Sequence, residues 1–197
     1  DTQNLAFWSE KEQKYVLYYR IFAHGARAIA RAVSDDFLHW TNEGEIEKLL
    51  ALFNDHYALH ALDSTAPYDG ILPLLSDLKR EGFRLAVVSN KPDAAVKTLC
   101  ADYFPGIPAW GEAPDCPRKP APDMLTVAMK EIGADACVYV GDSEVDVQTA
   151  RNAGVPCLSV LWGFRDKECL KKHGAEHFCE DPKQLLSCLK EIVKNGK

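Results

Sequence analysis

Three short segments carry side chains that suit the binding of an anion or a metal ion. The first is Ser89-Asn90-Lys91, which follows the apolar run LAVV and offers a hydroxyl group and successive backbone N–H groups. The start of a helix presents unpaired N–H groups and a partial positive charge, which together bind phosphate and other anions. The segment therefore indicates an anion site, although a sequence that only caps a helix gives the same pattern.

The second segment is Arg118-Lys119-Pro120, which lies ahead of Pro122-Asp123. Proline fixes the backbone and is common at the first position of a helix, so Lys119 is expected to project from a rigid loop. A rigidly held ammonium group is a point charge for a phosphate or for neighbouring carboxylates. An ordinary surface lysine is the alternative interpretation.

The third segment is GDSEVD at 141–146, directly after the apolar run CVYV. Asp142 lies in the predicted turn and Asp146 follows one helical turn later, so both carboxylates can face the same point. Hard oxygen ligands suit Mg²⁺, which takes one or two protein carboxylates and keeps several waters. A capping role would explain Asp142 but not Asp146, so the pattern predicts a metal site that contains both.

The elements that must position these segments alternate between amphipathic helices and short apolar strands from about Thr41 onward. The strands are predicted over RLAVVS, ACVYVG and PCLSVLW. The helices are predicted over Ile46 to about Leu62, over ILPLLSDLKREG, PDAAVKTLCADYF, APDMLTVAMKEIG and SEVDVQTARNAG, and over about Pro182 to Lys194. This alternation predicts an α/β fold, with a Rossmann-like parallel sheet covered by helices on both faces. Ligands of such sheets bind at the carboxyl ends of the strands, where the three segments lie.

The first forty residues break this pattern. FWSEKEQKYVLYYR and RAIARAVSDDFLHW are β-rich and predict a hairpin or consecutive meander strands. Residues 1–41 weakly resemble one blade of a glycosidase-type propeller, but a single blade cannot build a glycosidase site. The segment is either a hairpin that packs against the other domain or the product of a truncated or misjoined reading frame. Carbohydrate binding through Phe7, Trp8, Tyr18 and Trp40 is a weaker alternative, because aromatic residues of a strand pair are usually core.

Composition excludes several classes of protein. The chain has 197 residues and a net charge of -6 without a long Lys/Arg run, which disfavours nucleic acid as a partner. No apolar run reaches the roughly 18 to 20 residues that span a bilayer, and the first residues do not resemble a secretion signal. The seven cysteines are dispersed and contain no CxxC pair, so a reducing, cytoplasmic location is expected.

The order and spacing of the motifs resemble those of the haloacid dehalogenase superfamily of phosphatases. The sequence has a strand with Ser-Asn-Lys, then Lys-Pro-x-Pro, then a strand with Gly-Asp-Ser-x-x-Asp. Tyr68-Asp69-Gly70 and the segment GFR at 163–165 are also similar to the branch that contains phosphoglycolate phosphatase. The resemblance covers about residues 43–197.

The resemblance implies Mg²⁺-dependent hydrolysis of a small phosphorylated metabolite and assigns a role to each motif residue. It implies that Ser89 and the Asn90 backbone hold phosphate and that Lys119 balances the charge of the nucleophile and the phosphate. It also implies that Asp142 ligates Mg²⁺ and that Asp146 ligates the metal or orients its surroundings. Catalysis of phosphoryl transfer depends mainly on such positioning and electrostatics.

The sequence departs from the family in one motif. Members of the family have an apolar strand that ends in Asp-x-Asp-Gly-Thr, and this sequence has no such motif; neither Asp35-Asp36 nor Asp69-Gly70 replaces it. In the family that strand lies between the strand ending at Ser89 and the one ending at Gly141. Either KYVLYYR or RAIARAV fills the position, or the domain is damaged.

These observations predict three regions and an impaired enzyme. The regions are a β-rich segment at 1–41, the remnant of a helical cap at 42–66, and a phosphatase core without its first strand at 67–197. The resemblance implies that an aspartate of the missing motif is the nucleophile that attacks the phosphorus. Without it no aspartyl-phosphate intermediate forms, so we expect activity to fall by many orders of magnitude. The alternative is a non-catalytic module, or a truncated or fused fragment, that still binds phosphate and Mg²⁺. The oligomeric state is left open.

Overall fold

The computed structural model describes residues 4–23, 26–45, 63 and 65–195. The chain divides into two compact units, one within 1–60 and the other within 61–197. Residues 41–45 form a strand, so the first residues of the predicted cap remnant are not helical. The helix predicted from Ile46 to about Leu62 lies outside the described residues and stays a prediction.

The first unit contains one antiparallel sheet. Its strands are β1 (Leu5–Ser9), β2 (Lys14–Ala23), β3 (Ala26–Ser34) and β4 (Thr41–Glu45), and they pair in chain order as a meander. The predicted antiparallel arrangement at the amino terminus is therefore confirmed. A four-stranded antiparallel meander is the form of a propeller blade and also of many other sheets. The resemblance to a propeller blade stays a prediction.

The aromatic residues of this sheet are less buried than expected. Phe7 is 42% exposed and Trp8 is 40% exposed. Both lie on β1, an edge strand that pairs only with β2 among the described strands. The expectation that these aromatic residues form the core was wrong for Phe7 and Trp8. The buried apolar side chains of the unit are small: Val16, Ala28, Ala30, Ala32 and Val33.

The second unit alternates helices with short strands. In chain order the elements are α1 (Ile71–Arg80), β5 (Val87–Pro92), α2 (Asp93–Tyr103), β6 (Ala109–Glu112), α3 (Asp123–Glu131), β7 (Tyr139–Gly141), α4 (Glu144–Ala153), β8 (Cys157–Val160), α5 (Lys167–Lys172), β9 (His177–Cys179) and α6 (Pro182–Asn195). The predicted α/β fold is confirmed. The strands β6 and β9 and the short helix α5 were not expected from the sequence.

The strands of the second unit form two parallel ladders. β5 pairs with β6, and β8 pairs with β7 on one side and β9 on the other. Among the described residues, β5 pairs only with β6 and β7 pairs only with β8, so one edge of each strand has no paired neighbour. KYVLYYR and RAIARAV lie in β2 and β3, which pair with each other, so neither strand is paired with β5 or β7. At the middle of β7, Val140 is 41% exposed, which is unusual for an apolar residue of a parallel sheet.

The core of the second unit has helices on both faces of β8. On one face, Leu158 and Val160 pack with residues of α1 and α6, including Leu74, Leu78 and Leu189. On the other face, Cys157 packs in a cluster that contains Tyr139 of β7, Leu125 of α3 and Ala150 of α4. This layering holds the carboxyl ends of the strands at one edge of the sheet. None of the helices in the described part of the chain is long and apolar enough to cross a membrane.

The substitution Leu158→Ala tests this arrangement. Leu158 is 1% exposed at the centre of the larger cluster, so we expect the free energy of unfolding to fall by about 2–5 kcal/mol. Val193→Ala is the matched control, because Val193 on α6 is 44% exposed and its truncation should cost about 0.5 kcal/mol. Urea unfolding followed by circular dichroism measures both. Equal losses for the two variants would contradict the assignment of the core.

Candidate active site

The motif residues of the second unit lie at the carboxyl ends of β5 and β7. Ser89 and Asn90 are part of β5, and Asp142 follows directly after β7. The helix after β5 begins only at Asp93, with Pro92 as its N-cap and no side-chain cap. The alternative in which Ser89-Asn90-Lys91 merely caps a helix is therefore not what the structure contains. The hydroxyl of Ser89 accepts a hydrogen bond from the Lys91 backbone N–H at 3.2 Å.

The side chain of Asn90 holds the loop that carries Lys119. Its Oδ1 accepts a hydrogen bond from the Lys119 backbone N–H at 2.7 Å, and its Nδ2 donates to the Lys119 carbonyl oxygen at 2.9 Å. The two bonds join residues that are 29 positions apart in the sequence. A side-chain amide that bonds both the backbone N–H and the carbonyl oxygen of one residue fixes the backbone of that residue in position and orientation. Sequence reasoning considered the Asn90 backbone and missed this contact.

The ammonium group of Lys119 is buried against Asp146. Lys119 Nζ lies 2.7 Å from Asp146 Oδ1, and the two side chains are 13% and 7% exposed. The ammonium group also donates to the hydroxyl of Tyr139 at 3.1 Å, and that hydroxyl donates to Asp146 Oδ1 at 3.2 Å. Lys119 is thus not an ordinary surface lysine. The three side chains form one closed polar cluster inside the protein.

Asp146 also closes the turn after β7. Its Oδ2 accepts hydrogen bonds from the backbone N–H groups of Asp142 and Ser143 and from the Ser143 hydroxyl, at 3.2, 3.1 and 2.6 Å. The Ser143 hydroxyl in turn caps the first turn of α4, so the two residues form a capping box. Gly141 permits this approach, because a Cβ at that position would lie 2.3 Å from the Asp146 Cβ.

The charges of the cluster determine the protonation of its members. Burial alone raises the pKa of the Asp146 carboxyl, but the charge of Lys119 and its hydrogen bonds outweigh burial, and the pKa lies below its usual value. Burial raises the pKa of the Tyr139 hydroxyl, and the adjacent Asp146 charge raises it further. Asp146 is therefore ionised and Tyr139 neutral at neutral pH, as the hydrogen-bond directions require.

Asp142 has one engaged and one available carboxylate oxygen. Its Oδ2 accepts a hydrogen bond from the Phe164 backbone N–H at 2.9 Å. Within the described residues, Oδ1 has no hydrogen-bond partner, whereas both oxygens of Asp146 are engaged. No group of three or more His, Cys, Asp or Glu side chains in the described part of the chain is arranged to hold a metal ion.

A cleft lies at the same edge of the sheet, beside the segment that leads to Lys119. Its volume is about 430 Å³, within the range of small-molecule sites. Glu112, at the carboxyl end of β6, and Arg118 both line it, with 3.8 Å between the guanidinium and carboxylate atoms. The complete lining is Glu112, Ala113, Pro114, Cys116, Pro117 and Arg118.

Two further contacts at this edge were not expected from the sequence. The hydroxyl of Tyr139 joins Lys119 and Asp146, and Arg165 forms a two-bonded ion pair with Glu144 at 2.8 and 2.8 Å. Tyr139 precedes Gly141 by two residues on the same strand, so the period of two in a strand places both on one face. That signal was available in the sequence. No local spacing signals the pairing of Glu144 with Arg165, which are 21 residues apart.

Comparison with known proteins identifies the family. A profile of the haloacid dehalogenase-like hydrolases matches residues 3–154, more than half of the chain. The chain belongs to this family. The matched range and the motif-based resemblance over 43–197 differ at both ends, but both contain Ser89, Lys119, Asp142 and Asp146.

Several phosphatases of this hydrolase family are similar to the chain. Phosphoglycolate phosphatase 1 of Pseudomonas aeruginosa is 33% identical over 176 residues, which cover 85% of this chain and 62% of that protein. N-acetylmuramic acid 6-phosphate phosphatase of the same organism is 29% identical over 177 residues, with coverages of 86% and 76%. The crystal structure of a candidate phosphoglycolate phosphatase from Lactobacillus delbrueckii subsp. bulgaricus has a TM-score of 0.69 and 43% identity, and the match covers 72% of this chain and 61% of that one. The chain thus spans about three-fifths of the first protein and of the solved structure.

The buried ion pair leads to a stability prediction. Replacing Lys119 by Met leaves the Asp146 carboxylate buried without its counter-charge, so we expect the free energy of unfolding to fall by about 3–5 kcal/mol. The double variant Lys119→Met with Asp146→Asn removes both charges and should recover part of this loss. Urea unfolding of the single and double variants measures the coupling between the two residues.

Lys97→Met is the matched control for that experiment. Lys97 forms an ion pair with Asp93 at 2.7 Å, but its side chain is 60% exposed. Exposed pairs contribute about 0.2–1 kcal/mol, so this variant should lose little stability. A Lys119→Met variant as stable as Lys97→Met would show that the Lys119–Asp146 pair does not stabilise the fold.

Proposed function

We propose that this chain carries the phosphate- and Mg²⁺-binding residues of a phosphatase that acts on a small phosphomonoester such as phosphoglycolate. The observation that carries the proposal is the position of Lys119, whose backbone is fixed by Asn90 and whose ammonium group is fixed by Asp146. A lysine held from both ends at the carboxyl edge of a parallel sheet suits the recognition of a phosphoryl group. The membership of the hydrolase family supports this reading.

In this proposal Ser89, the backbone N–H of Asn90 and Lys119 bind the phosphate. Ser89 supplies a hydroxyl donor, Asn90 supplies its backbone N–H, and Lys119 supplies a positive charge at a fixed point. Charge-assisted hydrogen bonds of this kind are shorter and stronger than neutral ones. The residues bind and orient the phosphoryl group, which is the main requirement of phosphoryl transfer.

The two carboxylates of the site have different roles in the proposed binding of Mg²⁺. Asp142 has one oxygen without a partner among the described residues, and Mg²⁺ is commonly held by one or two carboxylates together with waters and substrate phosphates. Both carboxylate oxygens of Asp146 already accept hydrogen bonds. We therefore propose that Asp146 orients Lys119 and the turn at Asp142 and does not ligate Mg²⁺ directly. When bound, Mg²⁺ would offset the negative charge of the phosphoryl oxygens.

The same site is proposed to be catalytically impaired. Asp146 is paired with Lys119 and Glu144 is paired with Arg165, so neither carboxylate is available as a nucleophile. The sequence contains no Asp-x-Asp motif that would supply the attacking carboxylate. Binding and orientation remain, but among the described residues we identify none at this edge that would form the covalent bond to phosphorus that the family's reaction requires.

The substrate class rests on the relatives and on the cleft. Both curated relatives are named for small phosphorylated metabolites. The cleft of about 430 Å³ beside Lys119 is large enough for the organic part of such a molecule. The Arg118 guanidinium, only loosely paired with Glu112, would favour an organic part that carries an acidic group. These features support phosphoglycolate-like substrates.

A non-catalytic module that binds phosphate and Mg²⁺ is the second candidate function. The observation that favours it is the complete engagement of Asp146, which leaves Asp142 as the available carboxylate of the pair. Such a module would bind the same ligands weakly and would not turn them over. A reducing compartment, such as the cytoplasm, suits either function, because all seven cysteines are free thiols.

An assay with p-nitrophenyl phosphate and Mg²⁺ distinguishes an active phosphatase from a chain that binds phosphate and Mg²⁺ without turnover. We expect the purified chain to release no p-nitrophenol above background, because the nucleophile is lacking. We also expect inorganic phosphate to bind more tightly in the presence of Mg²⁺, and this gain to disappear in Asp142→Asn. Isothermal titration calorimetry measures the binding.

Arg80→Met provides the control, since Arg80 pairs with Asp77 on α1 and its side chain is 73% exposed. This variant should bind phosphate and Mg²⁺ like the unmodified chain. Turnover of p-nitrophenyl phosphate that is lost in Asp142→Asn but kept in Arg80→Met would refute the proposed impairment and establish an active enzyme.

A further inference from the structure

The segment Gly163–Arg165, which follows β8, contacts Asp142 through two successive backbone amides. The Phe164 N–H donates to Asp142 Oδ2 at 2.9 Å, and the Arg165 N–H donates to the Asp142 carbonyl oxygen at 3.1 Å. One bond fixes the carboxylate and the other fixes the backbone of the same residue. Asp142 is therefore held by a segment that starts 21 positions further along the chain, and not only by its own turn.

Gly163 lets this segment approach Asp142 closely. A Cβ at Gly163 would lie 2.3 Å from both the Cβ and the Oδ2 of Asp142. Contacts below 3.0 Å are essentially never found for a Cβ, so any other residue would displace the carboxylate or the segment. Because the carboxylate belongs to a short side chain next to the backbone, it has little room to give way.

The pair formed by Arg165 and Glu144 anchors the segment. Arg165 Nε and Nη2 donate to the two carboxylate oxygens of Glu144, each at 2.8 Å. Glu144 is the first residue of α4, two positions after Asp142, so the ion pair ties the segment to the turn that it positions. The guanidinium group also stacks on the Phe164 ring, 4.3 Å from its centre.

We propose that Gly163–Arg165 is a positioning element that holds the Asp142 carboxylate with one oxygen engaged and the other free for a cation, and thereby sets the affinity for Mg²⁺. The inference rests on the proposed function, because it takes Asp142 as the Mg²⁺ ligand. Arg165 and Glu144 act through Asp142 and touch neither the metal nor the substrate. Partners that orient a metal-binding carboxylate typically change metal affinity by 10–100-fold when they are removed.

The test uses Mn²⁺ as a spectroscopic probe of the Mg²⁺ site in the full chain. Electron paramagnetic resonance measures free Mn²⁺ during titration, and added Mg²⁺ competes with it. We expect Arg165→Met to raise the Kd for Mn²⁺ about tenfold or more. Arg165→Lys keeps the charge but not the two-bonded geometry, so it should recover only part of the affinity. Gly163→Ala should weaken binding as Arg165→Met does.

Two controls separate positioning from general damage to the fold. Arg80→Met removes an exposed Arg–Asp pair on α1, away from Asp142 in the sequence, and should leave the Kd within twofold of the unmodified chain. Circular dichroism at the titration temperature identifies any variant that has unfolded, and Arg165→Lys keeps the test valid if Gly163→Ala does not fold. A folded Arg165→Met variant with unchanged Mn²⁺ affinity would overturn the inference.

Asp142→Asn distinguishes failure of this inference from failure of the proposed function. Loss of Mn²⁺ binding in Asp142→Asn together with weaker binding in Arg165→Met supports both. Loss in Asp142→Asn without any effect in Arg165→Met overturns the positioning role and leaves the metal assignment intact. Unchanged binding in Asp142→Asn overturns the metal assignment, and the positioning role with it.

Discussion

The buried contact between Lys119 and Asp146 is the interaction on which the rest of the site depends. Neither charge could be buried alone without a large loss of solvation energy, so each requires the other. Their remaining hydrogen-bonding groups are satisfied by Tyr139 and Ser143, and the lysine backbone is satisfied by Asn90. The ion pair and its hydrogen bonds thus join three separate segments of the chain, those of Asn90, of Lys119 and of Tyr139 to Asp146, at one edge of the sheet.

That ion pair also determines the net charge that a ligand meets at the site. Lys119 is already neutralised by Asp146, so the side chains of Lys119, Asp142 and Asp146 together leave one uncompensated negative charge, that of Asp142. A phosphate approaching this edge meets a lysine whose charge is already offset by Asp146, together with the uncompensated charge of Asp142, which opposes its entry. A cation at Asp142 reverses the local charge, and we therefore expect the cation and the phosphate to assist each other in binding.

Sequence reasoning found the parts of the site that are local and missed those that depend on distant contacts. Ser89, Lys119, Asp142 and Asp146 stand in motifs of a few residues at predicted strand ends, and the alternation of helices and strands gave the α/β class. β6 and β9 have only four and three residues and, unlike the equally short β7 and β8, do not lie within longer apolar runs such as CVYV and CLSVLW. The side-chain amide of Asn90 contacts Lys119, 29 positions along the chain, and Arg165 contacts Glu144 across 21 positions. At such separations the spacing of residues in the sequence does not predict which side chains meet. The exposure of Phe7 and Trp8 was also missed, because strand pairing alone does not say which strand is an edge.

Lys119 has a further structural role, because it links the two parallel ladders. β5 and β6 form one ladder and β7, β8 and β9 form the other, with no backbone ladder between β5 and β7 among the described residues. Lys119 is bound through its backbone to Asn90 on β5 and through its ammonium group to Asp146 on α4, which follows β7. Lys119 thus connects the carboxyl end of β5 to the turn that follows β7. In a sheet with a strand paired between β5 and β7 the distance between them would be fixed by backbone hydrogen bonds, whereas here the polar contacts of Lys119 contribute to it together with the packing of α3 and α4.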